Sequence, residues 1–296
     1  MKVGIIGGGA LGLLFSAYLN KSFETTLYTR RLDQKKLIKQ EGIIVDTKDS
    51  MFNSFPYVKN TDDTWDDDCL IIAVKQPALK NMLKELNNKT AKEQAIIFIQ
   101  NGMGHIEDLS GLHHHNLYLG VVEHGARKKS DARVSHNGPG RTRIASYKGD
   151  LSLLAPFFEV NTFPFLPEYD WRNMLTRKLI INAVINPLTG IYNVQNGELV
   201  RDPHYRLIMG QLFEETANIL MLAAREKEKG WRELLEICKN TEENRSSMLQ
   251  DLDAGRCTEI EAISGYVLRE AARLKRRAPL TLFLYHSILA AENRFK

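Results

Sequence analysis

Short apolar runs separated by helix-period stretches set the pattern of the first half of the chain. Lys2–Ile6 reads as a short strand, followed by glycines and an amphipathic segment from about Ala10 to Asn20. Thr25–Tyr28 is a second strand, rich in β-formers. Leu37–Gln40 reads as part of a helix that Gly42 ends, and Ile43–Val45 and Phe55–Val58 as short strands. Cys69–Val74 is apolar throughout, as in a parallel strand buried on both faces. A helix over Ala78–Leu86 and strands at Ala95–Ile99 and Leu117–Val122 complete the alternation, which predicts an open α/β sheet. Val134–Tyr147, with Gly138-Pro139-Gly140 at its centre, is expected to be a hairpin closing that sheet. Beyond Pro167 the period becomes helical. Helices are expected at Trp171–Val184, Tyr205–Glu228, Trp231–Lys239, Glu243–Leu252, Glu259–Arg276 and Leu280–Glu292, punctuated by Gly230, Gly255 and Pro279. The change of period divides the chain into residues 1–167 and 168–296.

The length of 296 residues suits two domains, and 43% hydrophobic residues suit a globular chain. No apolar run approaches the roughly 18 residues of a membrane span, and no signal peptide is read at the N-terminus. Cys69, Cys238 and Cys257 are too few and too scattered for a disulfide framework or a CxxC zinc pattern, so a cytoplasmic protein is expected. A net charge of +4 requires neither nucleic acid nor membrane as a partner.

Gly7-Gly8-Gly9-Ala10-Leu11-Gly12 fits G-x-G-x-x-G between a strand and a helix. Gly7 permits the turn, Gly9 lets a pyrophosphate approach the backbone, and Gly12 lets helix and strand pack closely. A dinucleotide site is expected there. Strand Thr25–Tyr28 runs into Thr29-Arg30-Arg31, with no acid before Asp33. A carboxylate at that turn would bind a ribose 2′-hydroxyl, whereas a guanidinium binds a 2′-phosphate. The cofactor is therefore expected to be NADPH, with Arg30 the stronger candidate and Arg31 the second. Lys75 and Asn101 follow the strands Cys69–Val74 and Ala95–Ile99, at the carboxyl ends where open sheets bind ligands.

Lys178, Asn182 and Asn186 recur at i, i+4 and i+8 among apolar neighbours, which puts an ammonium and two amides on one helix face. An interhelical hydrogen-bond network would use the same spacing. Pro187 is expected to end or bend that helix at Asn186. Glu259 follows Thr258 at an expected helix start, where an acid in the first turn suffices to explain it.

These segments together resemble ketopantoate reductases. The resemblance rests on the glycine loop, Val74-Lys75, Gln100-Asn101-Gly102-Met103-Gly104, Lys178-(x3)-Asn182-(x3)-Asn186-Pro187-Leu188-Thr189, Asn196-Gly197-Glu198-Leu199, Ser246-Ser247-Met248-Leu249-Gln250-Asp251 and Thr258-Glu259-Ile260, in order along nearly the whole chain. It implies an N-terminal Rossmann-type, doubly wound, mainly parallel sheet and a C-terminal all-α domain, with the active site in the cleft between. It implies NADPH-dependent reduction of 2-dehydropantoate to pantoate, towards pantothenate and coenzyme A. Lys178 is then the general acid and Glu259 its partner at the nicotinamide and substrate end. Asn101, Asn182, Asn186, Asn196 and Ser247 bind substrate together with Lys178. Gly7, Gly8, Gly9, Ala10, Leu11, Gly12, Arg30, Arg31, Lys75, Asn101, Ala126 and Glu259 contact the cofactor.

Two other readings stay open: a paralogue reducing another 2-keto acid, and a non-catalytic NADP(H)-sensing protein. The sequence leaves a homodimer open. His113-His114-His115 reads as a solvated loop rather than a metal site, Asp66-Asp67-Asp68 as a solvated turn, and Lys275-Arg276-Arg277 as a helix end.

Overall fold

The computed structural model describes residues 1–293, apart from the side chain of residue 77. It divides into two compact units: residues 1–100 with 107–174, and residues 101–106 with 175–296. A single cut at 167/168 would place Asn101–Ile106 and the first turn of the helix at 171 differently.

Among the described residues of the first unit, the strands are β1 (Lys2–Ile6), β2 (Glu24–Thr29), β3 (Ile43–Asp46), β4 (Met51–Ser54), β5 (Tyr57–Asn60), β6 (Cys69–Ile72), β7 (Ala95–Phe98), β8 (Asn116–Val122), β9 (Gly125–Lys128), β10 (Arg133–Gly138), β11 (Thr142–Lys148) and β12 (Phe165–Glu168). The larger sheet has the order β12-β11-β8-β7-β6-β1-β2-β5. From β8 to β5 every pairing is parallel, and β11 joins β8 antiparallel. This is a doubly wound sheet whose strand order reverses between β1 and β6, where ligands of such sheets bind. β6 and β7 are buried at every position, as their unbroken apolar sequence requires. Helix Ala10–Leu19 is buried from Gly12 onward and packs Leu13, Leu14 and Phe15 into one core with Ile5, Leu27, Ile71 and Ile97. Each such side chain contributes about 1.5–3 kcal/mol by leaving water.

The expected hairpin does not form. β10 pairs with β3 and β9 in a second, four-stranded sheet, whereas β11 pairs with β8 and β12 in the first. Gly138-Pro139-Gly140 is thus a crossing between sheets. Its geometry is fixed by the Gly140 amide donating to His124 Nδ1 at 3.1 Å. Two segments expected to be solvated also carry buried residues. Asp67 accepts the Tyr28 hydroxyl at 2.7 Å, and burial raises its carboxyl above the usual range. His114 is buried with Nε2 2.6 Å from Thr90 Oγ1.

The second unit is helical. Its core joins Val184, Leu188, Leu199, Met209, Phe213, Leu234 and Leu284. Helix Trp171–Tyr192 does not end at Asn186 but continues for six more residues, with Pro187 inside it. The proline removes one helix hydrogen bond at a cost of about 3 kcal/mol. Burial of Val184, Ile185 and Leu188 offsets that cost. The expected segment Tyr205–Glu228 is two helices, Pro203–Ile219 and Ala224–Asn240. Leu220 and Leu222 pack on the core and so continue the apolar period, while Met221 turns the chain at φ 59°. Gly230 lies inside the second of these helices, where a Cβ would meet the Phe213 ring at 3.4 Å, so it permits close packing rather than a break.

A chain of hydrogen bonds crosses the core of the first unit. Because His124 Nδ1 accepts the Gly140 amide, it also accepts from His136 Nε2 at 3.2 Å, and His136 Nδ1 accepts the Tyr18 hydroxyl at 2.9 Å. Both rings are neutral in this arrangement, and His124 stacks on Phe163. Burial lowers His124 to about 3 and lowers His136 as well. In the unfolded chain both take a proton near 6.5, so falling pH favours unfolding from there downward. The melting temperature is expected to drop steadily from pH 7.5 to 5.0. His124→Phe is expected to cost about 1–2 kcal/mol at pH 7.5 through the lost Gly140 bond, yet to flatten the pH slope. Parallel slopes in thermal melts of the two proteins would contradict the assignment.

Candidate functional site

The glycine loop joins β1 to helix Ala10–Leu19. Gly7 holds φ +120°, and its amide donates to the Tyr28 carbonyl at 3.0 Å, which fixes the turn beside β2. A Cβ on Gly12 would sit 1.7 Å from the Gly7 carbonyl oxygen, so only glycine lets the helix seat this close. Nothing lies within 4 Å of a Cβ built on Gly9, which leaves the backbone open to a ligand. No side chain caps this helix start and no acid occupies its first turn. Its amides and the positive end of its dipole are therefore available to an anion. This cradle fits a dinucleotide pyrophosphate.

The two arginines after β2 have different fates. Arg31 pairs with Asp33 and with Asp131, the latter at 2.6 and 3.2 Å, and Nε donates to Asp33 Oδ1 at 3.1 Å. These bonds occupy four of the five guanidinium N–H groups. Arg30 is exposed, and its guanidinium has no ion-pair partner among the described residues. Three residues not singled out from the sequence surround this end of the loop. Gln34 Nε2 donates to the carbonyls of Gly8 and Asp131, both at 2.9 Å. Lys128 Nζ donates to the Gly8 carbonyl at 3.1 Å and to Asp131 Oδ1 at 2.8 Å. Two of these contacts, Gln34 to Asp131 and Lys128 to Gly8, span about a hundred residues of sequence, and no local pattern announces them. Lys75 is exposed at the start of helix Gln76–Lys89, just past β6. Ala126 is half-buried in β9.

In the helical unit, Lys178, Asn182 and Asn186 stand on one stripe of helix Trp171–Tyr192, which Asp170 caps by accepting the Asn173 amide at 3.1 Å. Asn182 and Asn186 are only 7% and 6% exposed. Among the described residues neither side-chain amide has a hydrogen-bond partner. Asn196 is held through Nδ2, which donates to Thr241 Oγ1 at 2.9 Å, because that hydroxyl already donates to the Ile237 carbonyl. Asn196 Oδ1 is left buried and unpartnered. Ser247 is exposed at the start of helix Ser247–Asp253, and Ser246 caps that helix through the Leu249 amide.

Asn101 belongs to the helical unit although it follows β7 in sequence. Its Nδ2 donates to Glu259 Oε2 at 2.8 Å. Gly102, at φ +79°, would place a Cβ 2.2 Å from the Ala262 carbonyl oxygen, so the loop lies backbone to backbone against the helix that follows Glu259. That helix opens with a π turn, Glu261–Gly265, a form common at functional sites. Thr258 Oγ1 accepts the Ile260 amide at 3.2 Å, which is the expected cap. Glu259 is not spent as a cap, since its carboxylate is turned to Asn101. The structure thus joins Asn101 with Glu259 and aligns Lys178, Asn182 and Asn186 in the helical unit, and clusters the glycine loop with the Arg31 network in the first. Among the described residues no group of three or more His, Cys, Asp or Glu side chains could hold a metal ion, and no helix is long and apolar enough to cross a membrane.

Residues 3–149 match the family model described as ketopantoate reductase PanE/ApbA, and residues 170–292 match its C-terminal counterpart. A 2-dehydropantoate 2-reductase of Bacillus subtilis is 42% identical over 99% of this chain and 98% of its own length. One from Listeria monocytogenes is 33% identical over 99% and 97%. The crystal structure of the probable 2-dehydropantoate 2-reductase of Bacillus subtilis superposes with a TM-score of 0.89 at 41% identity, covering 98% of this chain and 100% of that one. A D-mandelate dehydrogenase in complex with NADH shares the fold at TM-score 0.88 and 22% identity. Two family models that cover most of the chain, and relatives aligned almost end to end, make it a member of the ketopantoate reductase family, oxidoreductases acting on a ketone.

Proposed function

We propose that this chain reduces 2-dehydropantoate to pantoate with NADPH, a step towards pantothenate and coenzyme A. The observation that carries the reading is the stripe of Lys178, Asn182 and Asn186, on which two largely buried asparagines keep side-chain amides that make no hydrogen bond among the described residues. Such amides offer both donors and acceptors on an otherwise apolar helix, and a small acid bearing carboxylate, ketone and hydroxyl can engage them. The 42% identical relative is named for this reaction. The three cysteines are unbridged, which suits the reducing cytoplasm in which we place it.

The first unit binds the dinucleotide. The amides at the start of helix Ala10–Leu19 face its pyrophosphate, and Arg30 takes the 2′-phosphate, since the Arg31 donors are committed to Asp33 and Asp131. Lys75 and the Ala126 backbone add further contacts. When bound, reduced nicotinamide supplies a hydride to the ketone carbon. Negative charge then grows on the ketone oxygen. Lys178 donates a hydrogen bond to that oxygen and then its proton, giving the alcohol and a neutral amine. Asn182, Asn186, Asn196 and Ser247 bind the carboxylate and hydroxyl without adding charge. Glu259, oriented by Asn101, favours the protonated form of Lys178.

Lys178→Ala is expected to lower kcat on 2-dehydropantoate by about 10²–10⁴-fold while the NADPH dissociation constant changes less than threefold. Near-wild-type turnover would remove Lys178 from the acid role. Arg30→Ala is expected to weaken NADPH at least about tenfold, as loss of a charge-assisted contact does, and to leave NADH unaffected. Arg31→Ala should do much less. Titration of both variants with both cofactors separates the two arginines.

A further inference from the structure

We infer that Asp131 limits the affinity of the chain for a 2′-phosphorylated dinucleotide by holding two of the three nearby cations in ion pairs. The inference rests on the proposed assignment of the 2′-phosphate to Arg30. Asp131 lies in the turn between β9 and β10, and its carboxylate does two things at once. Oδ2 and Oδ1 accept from Arg31 at 2.6 and 3.2 Å, and Oδ1 accepts from Lys128 at 2.8 Å. The turn is fastened to the glycine loop, because Gln34 Nε2 bridges the Asp131 and Gly8 carbonyls and Lys128 Nζ also donates to Gly8. Asp131 therefore stands at the adenosine end of the loop, where the ribose 2′ substituent is read.

The charges there sum informatively. Arg31 and Lys128 face Asp33 and Asp131, so that group is neutral and Arg30 alone adds a positive charge. The carboxylates are the favoured form at neutral pH, since their cation partners hold both Asp33 and Asp131 below the ordinary range. A phosphate carrying close to two negative charges meets one cation and two carboxylates already paired. Removing the Asp131 charge while keeping its shape would leave Lys128 unpaired and Arg31 held by Asp33 alone. The site would then carry one more positive charge, with a second cation donor group facing the ligand.

The experiment is isothermal titration of Asp131→Asn with NADPH and with NADH, beside wild type and Arg30→Ala, at low and at physiological salt. Exposed ion pairs are each worth a factor of about 1.4 to 5 in an equilibrium constant, so the NADPH dissociation constant should fall about three- to tenfold. The NADH value should stay within twofold, and the NADPH gain should shrink with added salt. An unchanged or weaker NADPH affinity would overturn the inference and make Asp131 a brace that holds Arg31 for the ligand. Equal tightening of NADH and NADPH would also overturn it, since the effect would not then involve the 2′-phosphate. If Arg30→Ala binds NADPH as well as wild type, the underlying assignment fails instead. Asp131→Glu, which keeps the charge, should bind NADPH like wild type, and a fold problem in the amide variant would show as lost NADH binding.

Discussion

A polar group taken out of water must find a partner, and one stripe of the helical unit keeps amides whose donors and acceptors the fold has not used. Asn182 and Asn186 lie in a helix whose other faces are packed with Ile180, Val184, Ile185 and Leu188. Nothing in apolar packing calls for amides there. Asn196 goes further, with one half of its amide fixed to Thr241 and the other buried without a partner, at a cost of about 1–3 kcal/mol. The same constraint acts through the backbone in the first unit, where Gly12 seats the helix so closely that its uncapped amides remain for an anion.

Electrostatics then divides labour among like residues. Arg30 and Arg31 are neighbours of one type, yet one guanidinium is held by two carboxylates and the other is open to solvent. Glu259 sits where a helix cap would explain it, but Thr258 supplies the cap and the Glu259 carboxylate faces Asn101. What a residue can do is set by which of its donors and acceptors the fold has already used.

The alternation of the first half and the glycine loop were legible because they are local. Continuous apolar strands and a strand–glycine–helix junction carry their geometry in consecutive residues. The stripe at 178, 182 and 186 was legible for the same reason, through helix period. The misread segments are those where distant parts of the chain override the local signal. Leu220 and Leu222 keep an apolar period across a turn, and β10 leaves β11 for partners nearly ninety residues earlier in β3. The Gln34, Lys128 and Asp131 network was not legible at all, because nothing in a lone Gln, Lys or Asp records the links of about a hundred positions, Gln34 to Asp131 and Lys128 to Gly8, that hold it together.

The central claim is that the unengaged amides of largely buried asparagines in the helical unit bind a substrate carrying a hydroxyl as well as a 2-oxo acid. The most direct measurement compares kcat/KM with NADPH for 2-dehydropantoate and for the analogue in which its hydroxymethyl group is a methyl. A site built to hydrogen-bond a hydroxyl rejects the analogue lacking it, so a preference of about 10²-fold or more is expected. Efficiencies within about threefold of each other, a difference of under 1 kcal/mol, would contradict the account.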